Sequence, residues 1–596
     1  MTTIELQVVQ KEIPELTFAL TEMIAAGSLL RIKANGVMML RNLRALSIFA
    51  DGRELRRVHD YLGEEMVKNW GWYIRTKSLV VVETGREALP CGTLVTVRAS
   101  FSEEMREKKS EVDNPDPSFQ NYSGLSWIME LGTTSGKEID DPGSLDFLPV
   151  AEPVEISFTP GPPKRIEACL KFDGSIRATL FDAFGNPAGD RTNDIHIERV
   201  PKLGPNRFSV KDPEGRCAVS SPRPMAQDGT PLYFGEIHWH TDISGDGMRS
   251  LEAALRSARD ELALDFAGPA DHMNQFGAYR NRSPEIQAEI CRSFDAPGRF
   301  CTLPGAELNR RSGHCNLYTD SFDTFLSTVN RFRKELAPVW NREPNRYSFK
   351  SLADVCPEGK TLIVPHHSNV DSWTHGRVTG KDGRPGWSAI HFPIPADRKQ
   401  VRLFEMVQTR GAFEAEEADP AWRIYYGGLG GSARTALMRG YRIGFISGSD
   451  NHCGWPTRSG ANYVGITAVQ AQRLDTESIF DAMYRRRCYA TSGARIVADA
   501  TMNGYPMGSE LRLNPGDPRL FRIGIHATAP LESVQLIHCG YVLADFSVES
   551  DSLDFNVEWA DERPGRPLED AWYYVRARQI DGHCVWLSPF WVDLPE

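Results

Sequence analysis

The first 230 residues consist of short apolar or alternating runs that are broken by Gly, Pro, Asn and Asp. Examples are "SLVVVET", "GTLVTVRASF", "PVEISFTP" and "SIRATLFDAFG". Because successive side chains of a strand point to opposite faces, such runs predict β-strands separated by turns. Helices are predicted near 14–26 and 53–67, and the polar stretch "EEMREKKSEVDNPDPS" predicts a loop. We therefore expect residues 1–230 to form a β-rich, sandwich-like region.

From residue 231 to about 495, strand-like apolar runs alternate with helical patterns. In "SLEAALRSARDELAL", Leu251, Leu255, Ala258 and Leu262 fall on one helical face, and Ser250 fits an N-cap. Further helical patterns are "PEIQAEICRSF", "SARTALMRGY" and "TESIFDAMYRRR". This alternation favours a βα barrel or a layered α/β sheet. Residues 496–596 return to strand patterns, and a segment of this length and pattern predicts a small β-sandwich.

Composition and charge argue against several classes of protein. The 596 residues carry a formal net charge of -11, whereas a nucleic-acid binder usually presents a basic face. No run approaches 18 uncharged apolar residues, so we expect no membrane span. The first residues include acids and lack the apolar region of a secretory signal. The 11 cysteines form no CxxC pair, which favours a reducing compartment, and we expect a cytoplasmic protein.

Several apolar runs between 231 and 495 end in side chains that can bind metals. They are "GEIHWH", "AGPADH", "LPGAE", "LIVPHH" and "FISGSDNH", and "RSGHCN" begins another such run. Nine of the 14 histidines lie between His238 and His452. In βα barrels the C-terminal ends of the strands converge on the face that carries the active site. We therefore expect these side chains to meet in space.

The residue types indicate the chemistry of such a cluster. Imidazole and carboxylate ligands together suit Zn, Mn or Fe. Alternate residues of a strand point the same way, so His238 and His240 can bind one ion, and the same spacing relates Asp450 and His452. A carboxylate such as Glu307 can bridge two ions, which histidine does not ordinarily do. An HxH pair alone is more often two ordinary loop or core histidines, but the full set favours a metal centre.

The pieces "HWHTDISGDG", "ADH", "PGAE", "GHCNLY", "PHH" and "GSDNH" resemble, in this order, the motifs of the polymerase and histidinol phosphatase (PHP) family. The resemblance covers about residues 231–495 and extends to a subgroup with flanking β regions. It implies an α/β fold, a distorted (β/α)7 barrel that holds up to three metal ions. The expected domains are an N-terminal β-rich region (1–230), the PHP-like barrel (231–495) and a C-terminal β-sandwich (496–596).

The resemblance also implies a set of ligands, carried over by position to this chain. The three implied groups are His238, His240, Glu307 and Asp450; Glu307, His314 and His366; and Asp246, His272 and His452. Family members carry either histidine or aspartate at the position of Asp246, so the occupancy of the third group stays open. The implied cofactors are two or three divalent ions of Zn, Mn or Fe.

Other residues near the motifs are candidates for catalysis or substrate binding. His367 is a candidate proton donor, and Asp271 is a candidate for orienting a ligand imidazole, although a loop carboxylate is an equal alternative. Guanidinium groups suit phosphate or carboxylate oxygens, and any one arginine is otherwise a surface residue. The candidate arginines are Arg280, Arg310, Arg311 and Arg410. The loop 371–398 has the length of a lid or of an ordinary surface loop.

We weigh three functions, of which the resemblance to the PHP family favours the first. The first is a metal-dependent phosphoesterase that acts on a small anionic phosphate ester through a hydroxide bridging the metals. The second is hydrolysis of an amide, lactone or other carbon-centred bond at the same centre. The third is a catalytically silent binding module. We expect a small-molecule substrate and neither nucleic acid nor membrane as partner, and the sequence leaves self-association and the role of the flanking β regions open.

Overall fold

The computed structural model describes most of the chain, in ranges separated by gaps. The described residues are 2–7, 15–34, 43–60, 78–101, 126–135, 147–200, 206–244, 247, 249–273, 283–310, 313–336, 349–366, 396, 398–409, 411–415, 431–452, 454–459, 462–514, 516–563 and 571–593. The chain divides into two compact units. The first comprises Met1–Lys164, Phe181–Ala188 and Asp246–Arg249, and the second comprises Arg165–Leu180, Gly189–Gly245 and Ser250–Glu596.

The first unit is built from strands in its described part. These strands are β1 (Thr2–Gln7), β2 (Leu16–Ala19), β3 (Leu29–Ala34), β4 (Leu43–Ala50), β5 (Arg53–Glu54), β6 (Arg56–Asp60), β7 (Ser78–Glu83), β8 (Leu94–Phe101), β9 (Ser126–Thr134), β10 (Leu148–Pro149) and β11 (Val154–Thr159). One sheet has the order β1-β11-β9-β3-β7-β6, with β10 paired to β9, and a second has the order β2-β8-β4-β5. Strands β1 and β11 are parallel, and the other pairs in these sheets are antiparallel.

Both helices predicted for this region are wrong where the structure describes them. Residues 16–19 form β2, because Leu16, Phe18 and Leu20 alternate with exposed residues and are all buried. Strands β5 and β6 occupy most of 53–60. The remainder of that second prediction, 61–67, and the predicted loop at 103–118 lie outside the described residues.

The described strands up to residue 491 continue the chain into the second unit. They are β12 (Arg165–Leu170), β13 (Ile176–Phe181), β14 (Pro187–Asp190), β15 (His196–Glu198), β16 (Ser209–Lys211), β17 (Cys217–Val219), β18 (Leu232–Glu236), β19 (Phe266–Ala267), β20 (Cys301–Thr302), β21 (Gly305–Arg310), β22 (Gly313–Thr319), β23 (Thr361–Pro365), β24 (Leu403–Glu405), β25 (Val407–Gln408), β26 (Gly411–Ala412), β27 (Gly444–Ile446), β28 (Arg458–Ser459), β29 (Asn462–Tyr463), β30 (Ile466–Gln470) and β31 (Cys488–Thr491). The helices of this unit lie between these strands. They are α1 (Leu251–Arg256), a π-helix (Ser257–Glu261), α2 (Pro284–Phe294), α3 (Phe322–Glu335), α4 (Phe349–Val355), α5 (Ala433–Met438) and α6 (Thr476–Tyr484).

The C-terminal part of the unit contains strands only, within the ranges given above. They are β32 (Val497–Met502), β33 (Tyr505–Pro506), β34 (Glu510–Arg512), β35 (Arg519–His526), β36 (Leu531–His538), β37 (Tyr541–Phe546), β38 (Asp554–Asp561), β39 (Ala571–Gln579), β40 (Cys584–Leu587) and β41 (Phe590–Asp593). Four of them form the sheet β33-β32-β35-β38.

The predicted (β/α)7 barrel is wrong, since no barrel closes among the described strands. The central sheet instead has eleven strands in the described chain, along the path β20-β19-β18-β30-β31-β40-β39-β36-β37 with β41 and β34 attached at β39. Strands β18, β19 and β20 are parallel, but β30 and β31 join antiparallel. Strands β21, β22 and β23 form a separate antiparallel sheet.

The physical reason for this error lies in what an apolar run specifies. A continuous apolar run predicts a strand that is buried on both faces, but it does not specify the direction of the neighbouring strand. β21 ends at Arg310 and β22 begins at Gly313, which leaves no room for a crossover helix and gives an antiparallel pair. The alternation of strand and helix patterns is therefore broken at this point.

Strand β18 is buried on both faces and lies between two apolar cores. Leu232 and Phe234 belong to a core shared by the central sheet and the sheet β33-β32-β35-β38. Tyr233 and Ile237 belong to a second core with residues of α6 and β23. Packing on both faces fixes the position of β18. The residues that directly follow its C-terminal end therefore start from a fixed position.

The predicted helix after residue 250 is confirmed. The Ser250 side chain accepts a hydrogen bond from the Ala253 amide as an N-cap, and Leu251, Leu255 and Ala258 are buried. After α1 the chain continues as the π-helix, and Leu262, which follows it, is buried as predicted. Among the described helices, none is long and apolar enough to cross a membrane.

Candidate metal centre

The segment after β18 brings the first two histidines to the C-terminal edge of the central sheet. The His240 amide donates to the Asn451 carbonyl at 2.9 Å, and the Asp450 amide donates to the His238 carbonyl at 2.7 Å. Trp239, between the two histidines, is fully buried. The segments "HWH" and "SDN" are therefore joined by their backbones, which places side chains far apart in sequence next to one another.

Three overlapping groups of side chains could each hold a metal ion. In each group, one potential ligand atom per residue lies within 4.8 Å of the others. The groups are His238, His240, Glu307 and Asp450; Glu307, His314 and His366; and His240, His272 and His452. The structure therefore brings together every described member of the ligand set that the sequence predicts.

Glu307 belongs to two of these groups and turns one oxygen towards each. Its Oε2 lies 3.0 Å from His240 Nε2 and 3.4 Å from His238 Nε2. Its Oε1 lies 2.6 Å from His314 Nδ1 and 3.5 Å from His366 Nε2. A carboxylate whose two oxygens face different groups of histidines is the arrangement expected of a ligand that bridges two ions.

The third group differs from the predicted one. The structure places His240 beside His272 and His452, with ring centroids 4.5 Å and 4.2 Å away. The predicted third ligand, Asp246, lies outside the described residues. His240 is also part of the first group, and its Nε2 faces Glu307 and Asp450 there.

The turn that carries Asp450 is held in an unusual backbone conformation. Asp450 has a φ of 53°, which lies in the left-handed region that residues other than glycine rarely adopt. Two residues earlier, a Cβ on Gly448 would lie 2.2 Å from His238 Cβ, so only glycine fits there. The backbone bond of Asp450 and the close approach of Gly448 hold this turn against His238.

The carboxylates of Glu405 and Glu236 and the side-chain amide of Gln408 contact the candidate ligands. Glu405 Oε2 lies 2.6 Å from His238 Nδ1, and Gln408 donates to Asp450 Oδ2 at 3.0 Å. Glu236 accepts from the amides of His238 and Ser449. These residues were not predicted from the sequence, although Glu405 ends the apolar run "RLFE" just as Glu307 ends "LPGAE".

Asp271 fixes the loop that follows His240. It accepts hydrogen bonds from the Thr241 amide and hydroxyl, each at 2.7 Å, and from the Ser244 hydroxyl at 2.9 Å. It is fully buried, and burial raises its pKa. These bonds give Asp271 a role in holding the loop in place, and its predicted role towards an imidazole stays a prediction.

Burial and neighbouring charges shift the pKa values of the side chains in the cluster. Burial raises the pKa of Glu307, but the imidazoles of His272, His366 and His314 outweigh it and hold that pKa well below its usual range. Burial lowers the pKa of His366 to about 3 and also lowers that of His314. Burial also opposes a charge on His238, but the carboxylates of Glu405 and Asp450 outweigh it and raise the pKa of His238 well above its usual range. An ionised Glu307 beside the imidazoles of His314 and His366, which burial keeps neutral, is a donor set that fits a divalent cation.

The cluster is buried on most sides and open on one. His238, His240 and His366 are fully buried, whereas the His452 side chain is 24% exposed. Solvent therefore reaches the described cluster at His452.

The remaining predicted residues are not placed by the structure. His367, Arg280, Arg311 and Arg410 lie outside the described residues, as does most of the loop 371–398. Arg310 is the last residue of β21. The predicted substrate clamp and proton donor therefore stay predictions.

Comparisons with known proteins give relatives without a described activity. A family described as "Protein of unknown function (DUF3604)" matches residues 464–578, a segment that begins after His452. The chain is 25% identical to an uncharacterised protein of Chlamydia pneumoniae over 415 residues, covering 63% of this chain and 60% of that protein. It is 24% identical to an uncharacterised protein of Chlamydia trachomatis over 483 residues, covering 71% and 72% respectively. The chain thus spans about three fifths of the length of the first of these relatives.

Among solved structures, a β-glucuronidase of Parabacteroides merdae aligns with 97% of this chain and 78% of its own, at 9% identity and a TM-score of 0.17. An engineered protein aligns with 62% of this chain and 87% of its own, at 11% identity and the same TM-score. At such TM-scores neither similarity bears on the fold. The chain is therefore characterised by its own cluster of buried histidines and carboxylates, which could hold a metal ion.

Proposed function

We propose that this protein is a metal-dependent hydrolase, and specifically a phosphoesterase that acts on a small anionic phosphate ester. The observation that carries the proposal is the side chain of Glu307. One of its oxygens faces His238 and His240, and the other faces His314 and His366. This arrangement supports a centre of two ions that share one carboxylate.

The chain's own residues would hold two divalent ions in defined ways. His238, His240 and Asp450 complete the group on the Oε2 side of Glu307, and His314 and His366 complete the group on the Oε1 side. When bound, such ions supply an activated water nucleophile and stabilise the charge that develops on the substrate. Gln408 holds Asp450 in orientation, and burial of His238, His240 and His366 keeps bulk water away from these three ligands.

Phosphoester chemistry is favoured over other hydrolysis by the order of the ligand motifs. From "HWHT" to "GSDNH" they follow the order of the PHP phosphatase motifs, even though the expected barrel does not form in the described chain. Hydrolysis of an amide or lactone would use the same ligands. A panel of substrates therefore separates the two bond types.

The test is to measure metal content and hydrolysis on the same preparations. Purified protein would be analysed for Zn, Mn and Fe and assayed with chromogenic phosphomonoesters, phosphodiesters, amides and lactones. We expect about two equivalents of metal and phosphate release. The Glu307→Gln variant should lose most of the metal and lower the rate by more than about 100-fold, because metal ions contribute several kcal/mol to such reactions.

His526→Ala is a control for disturbing a histidine–carboxylate contact elsewhere, because His526 on β35 contacts Asp554, outside the three groups. It should keep the metal and the rate. Metal without phosphate release but with amide or lactone cleavage would contradict the phosphoesterase assignment. Equal metal content in the wild-type protein and Glu307→Gln would contradict the proposed centre itself.

A further inference from the structure

Glu405 is a buried carboxylate that contacts a candidate ligand without being one of the grouped residues. It ends β24, it is 0% exposed, and its Oε2 lies 2.6 Å from Nδ1 of His238. The other ring nitrogen of His238, Nε2, faces Glu307 Oε2 at 3.4 Å and Asp450 Oδ1 at 3.5 Å. Nδ1 of His238 therefore contacts Glu405, whereas Nε2 faces Glu307 and Asp450.

The contact with Glu405 determines which nitrogen of His238 carries a proton. A carboxylate only accepts, so a hydrogen bond of 2.6 Å requires the proton to be on Nδ1. In a neutral imidazole the lone pair then lies on Nε2, which is the nitrogen that faces Glu307 and Asp450. A histidine that binds a metal commonly donates its other N–H to a carboxylate in this way.

The surrounding backbone leaves just enough room for this contact. A Cβ on Gly448 would lie 3.0 Å from Glu405 Oε2 and 2.2 Å from His238 Cβ. Strands β24 and β27 run parallel, with Glu405 beside Ile446, which brings the turn 448–450 against the same imidazole. The paired strands β24 and β27 thus position Glu405 and the turn that carries Asp450, and the backbone hydrogen bond from Asp450 to the His238 carbonyl joins that turn to His238.

We propose that Glu405 is a positioning residue that fixes the Nδ1–H tautomer and the ring orientation of His238, and so determines how tightly the group His238, His240, Glu307 and Asp450 binds its metal. The inference rests on the proposed metal centre. It adds a residue that touches neither substrate nor metal and acts only through His238.

Titration of the metal-free protein with Zn²⁺ and Co²⁺ tests this inference. Removing a carboxylate behind a metal-binding histidine weakens metal binding about 10–100-fold in other proteins, and we expect a loss in this range for Glu405→Leu. Glu405→Gln should restore part of the affinity, because its amide oxygen still accepts from Nδ1. The visible spectrum of the Co²⁺-loaded variants should change, since the ligand field depends on the orientation of His238.

Asp499→Asn is a control for the loss of a buried carboxylate, because Asp499 is buried on β32 and accepts from the Gln227 amide outside the three groups. It should leave affinity and spectrum unchanged, even if it lowers the melting temperature. If both Glu405 variants kept wild-type affinity and spectrum and only their thermal stability fell, Glu405 would be structural and the inference would be overturned. If the wild-type protein bound no metal, the proposed function would fail and the inference with it.

Discussion

At the scale of single residues, the absence of a side chain at position 448 constrains the packing around His238. The constraint is steric, because a methyl group on Gly448 would lie only 2.2 Å from His238 Cβ. Gly448→Ala should therefore destabilise the protein by about 3 kcal/mol, the upper end of the usual cost of overpacking. It should also weaken Zn²⁺ binding, because it pushes on His238.

Urea unfolding and Zn²⁺ titration of the metal-free protein measure both effects. Gly516→Ala is the matched control, since nothing lies within 4 Å of a Cβ at that position. Its stability should stay within about 0.5 kcal/mol of the wild-type value. Equal stability of the two variants would show that the turn 448–450 relaxes without cost.

The candidate ligands could be predicted from sequence, but the residues that contact them, such as Glu405, could not. The HxH spacing and the strand-end carboxylates identified His238, His240, Glu307 and Asp450, which the structure brings together. Glu405 carried the same strand-end signal, yet no rule of spacing relates it to a partner 167 residues away. The pairing of β24 with β27, together with the backbone bond from Asp450 to His238, places it beside His238.

At the scale of elements, the sheet β33-β32-β35-β38 contains a carboxylate whose charge stabilises the fold. Asp561 at the end of β38 is buried, and its pKa is lowered to about 2, because hydrogen bonds from Arg563 and Tyr573 and the charge of Arg519 outweigh burial. The shift stabilises the folded protein above the unfolded pKa of 3.8, and this stabilisation is lost as the pH falls towards 2. Asp561→Asn should therefore cost about 2 kcal/mol at pH 7 and almost nothing at pH 2.

Unfolding measured as a function of pH tests this prediction. Glu558→Gln on the same strand is the control, because the side chain of Glu558 is 74% exposed and its ion pair with Arg522 is at the surface. Its stability should follow that of the wild-type protein at every pH. A loss for Asp561→Asn that does not depend on pH would show that packing, and not charge, holds Asp561.

The elements themselves differ in how well sequence predicted them. The helix after Ser250 was predicted because its cap and its apolar face are local signals. The barrel was predicted wrongly because strand direction depends on partners that are distant in sequence, such as β18 with β30. The helix predicted near 14–26 failed because buried residues there recur every second position.

At the scale of the molecule, residues on both sides of 496 belong to one sheet. Strand β31 pairs with β40, and Leu232 and Phe234 share a core with Val534 of β36. A chain that ends at residue 495 would expose this core and an unpaired strand edge. We therefore expect that residues 231–495 expressed alone do not unfold cooperatively, and that residues 165–596, which hold the whole second unit, do.

Urea unfolding of the two fragments, followed by tryptophan fluorescence and far-UV circular dichroism, measures this cooperativity. The fragment 165–596 serves as the positive control, because it keeps the whole second unit with both sheets that enclose the shared core. A single cooperative transition of the fragment 231–495, with native metal content, would contradict this expectation. It would show that the first part of the central sheet folds without its C-terminal strands.

The proposed function depends on Glu307 joining two metal ions in one buried centre. Anomalous diffraction from crystals of the Zn²⁺-loaded protein, collected on both sides of the zinc absorption edge, would locate these ions. We expect two peaks, one about 2.0–2.2 Å from ligand atoms of His238, His240 and Asp450 and one at that distance from His314 and His366, with Glu307 between them. A zinc-loaded crystal with no peak beside Glu307 would contradict the proposed centre.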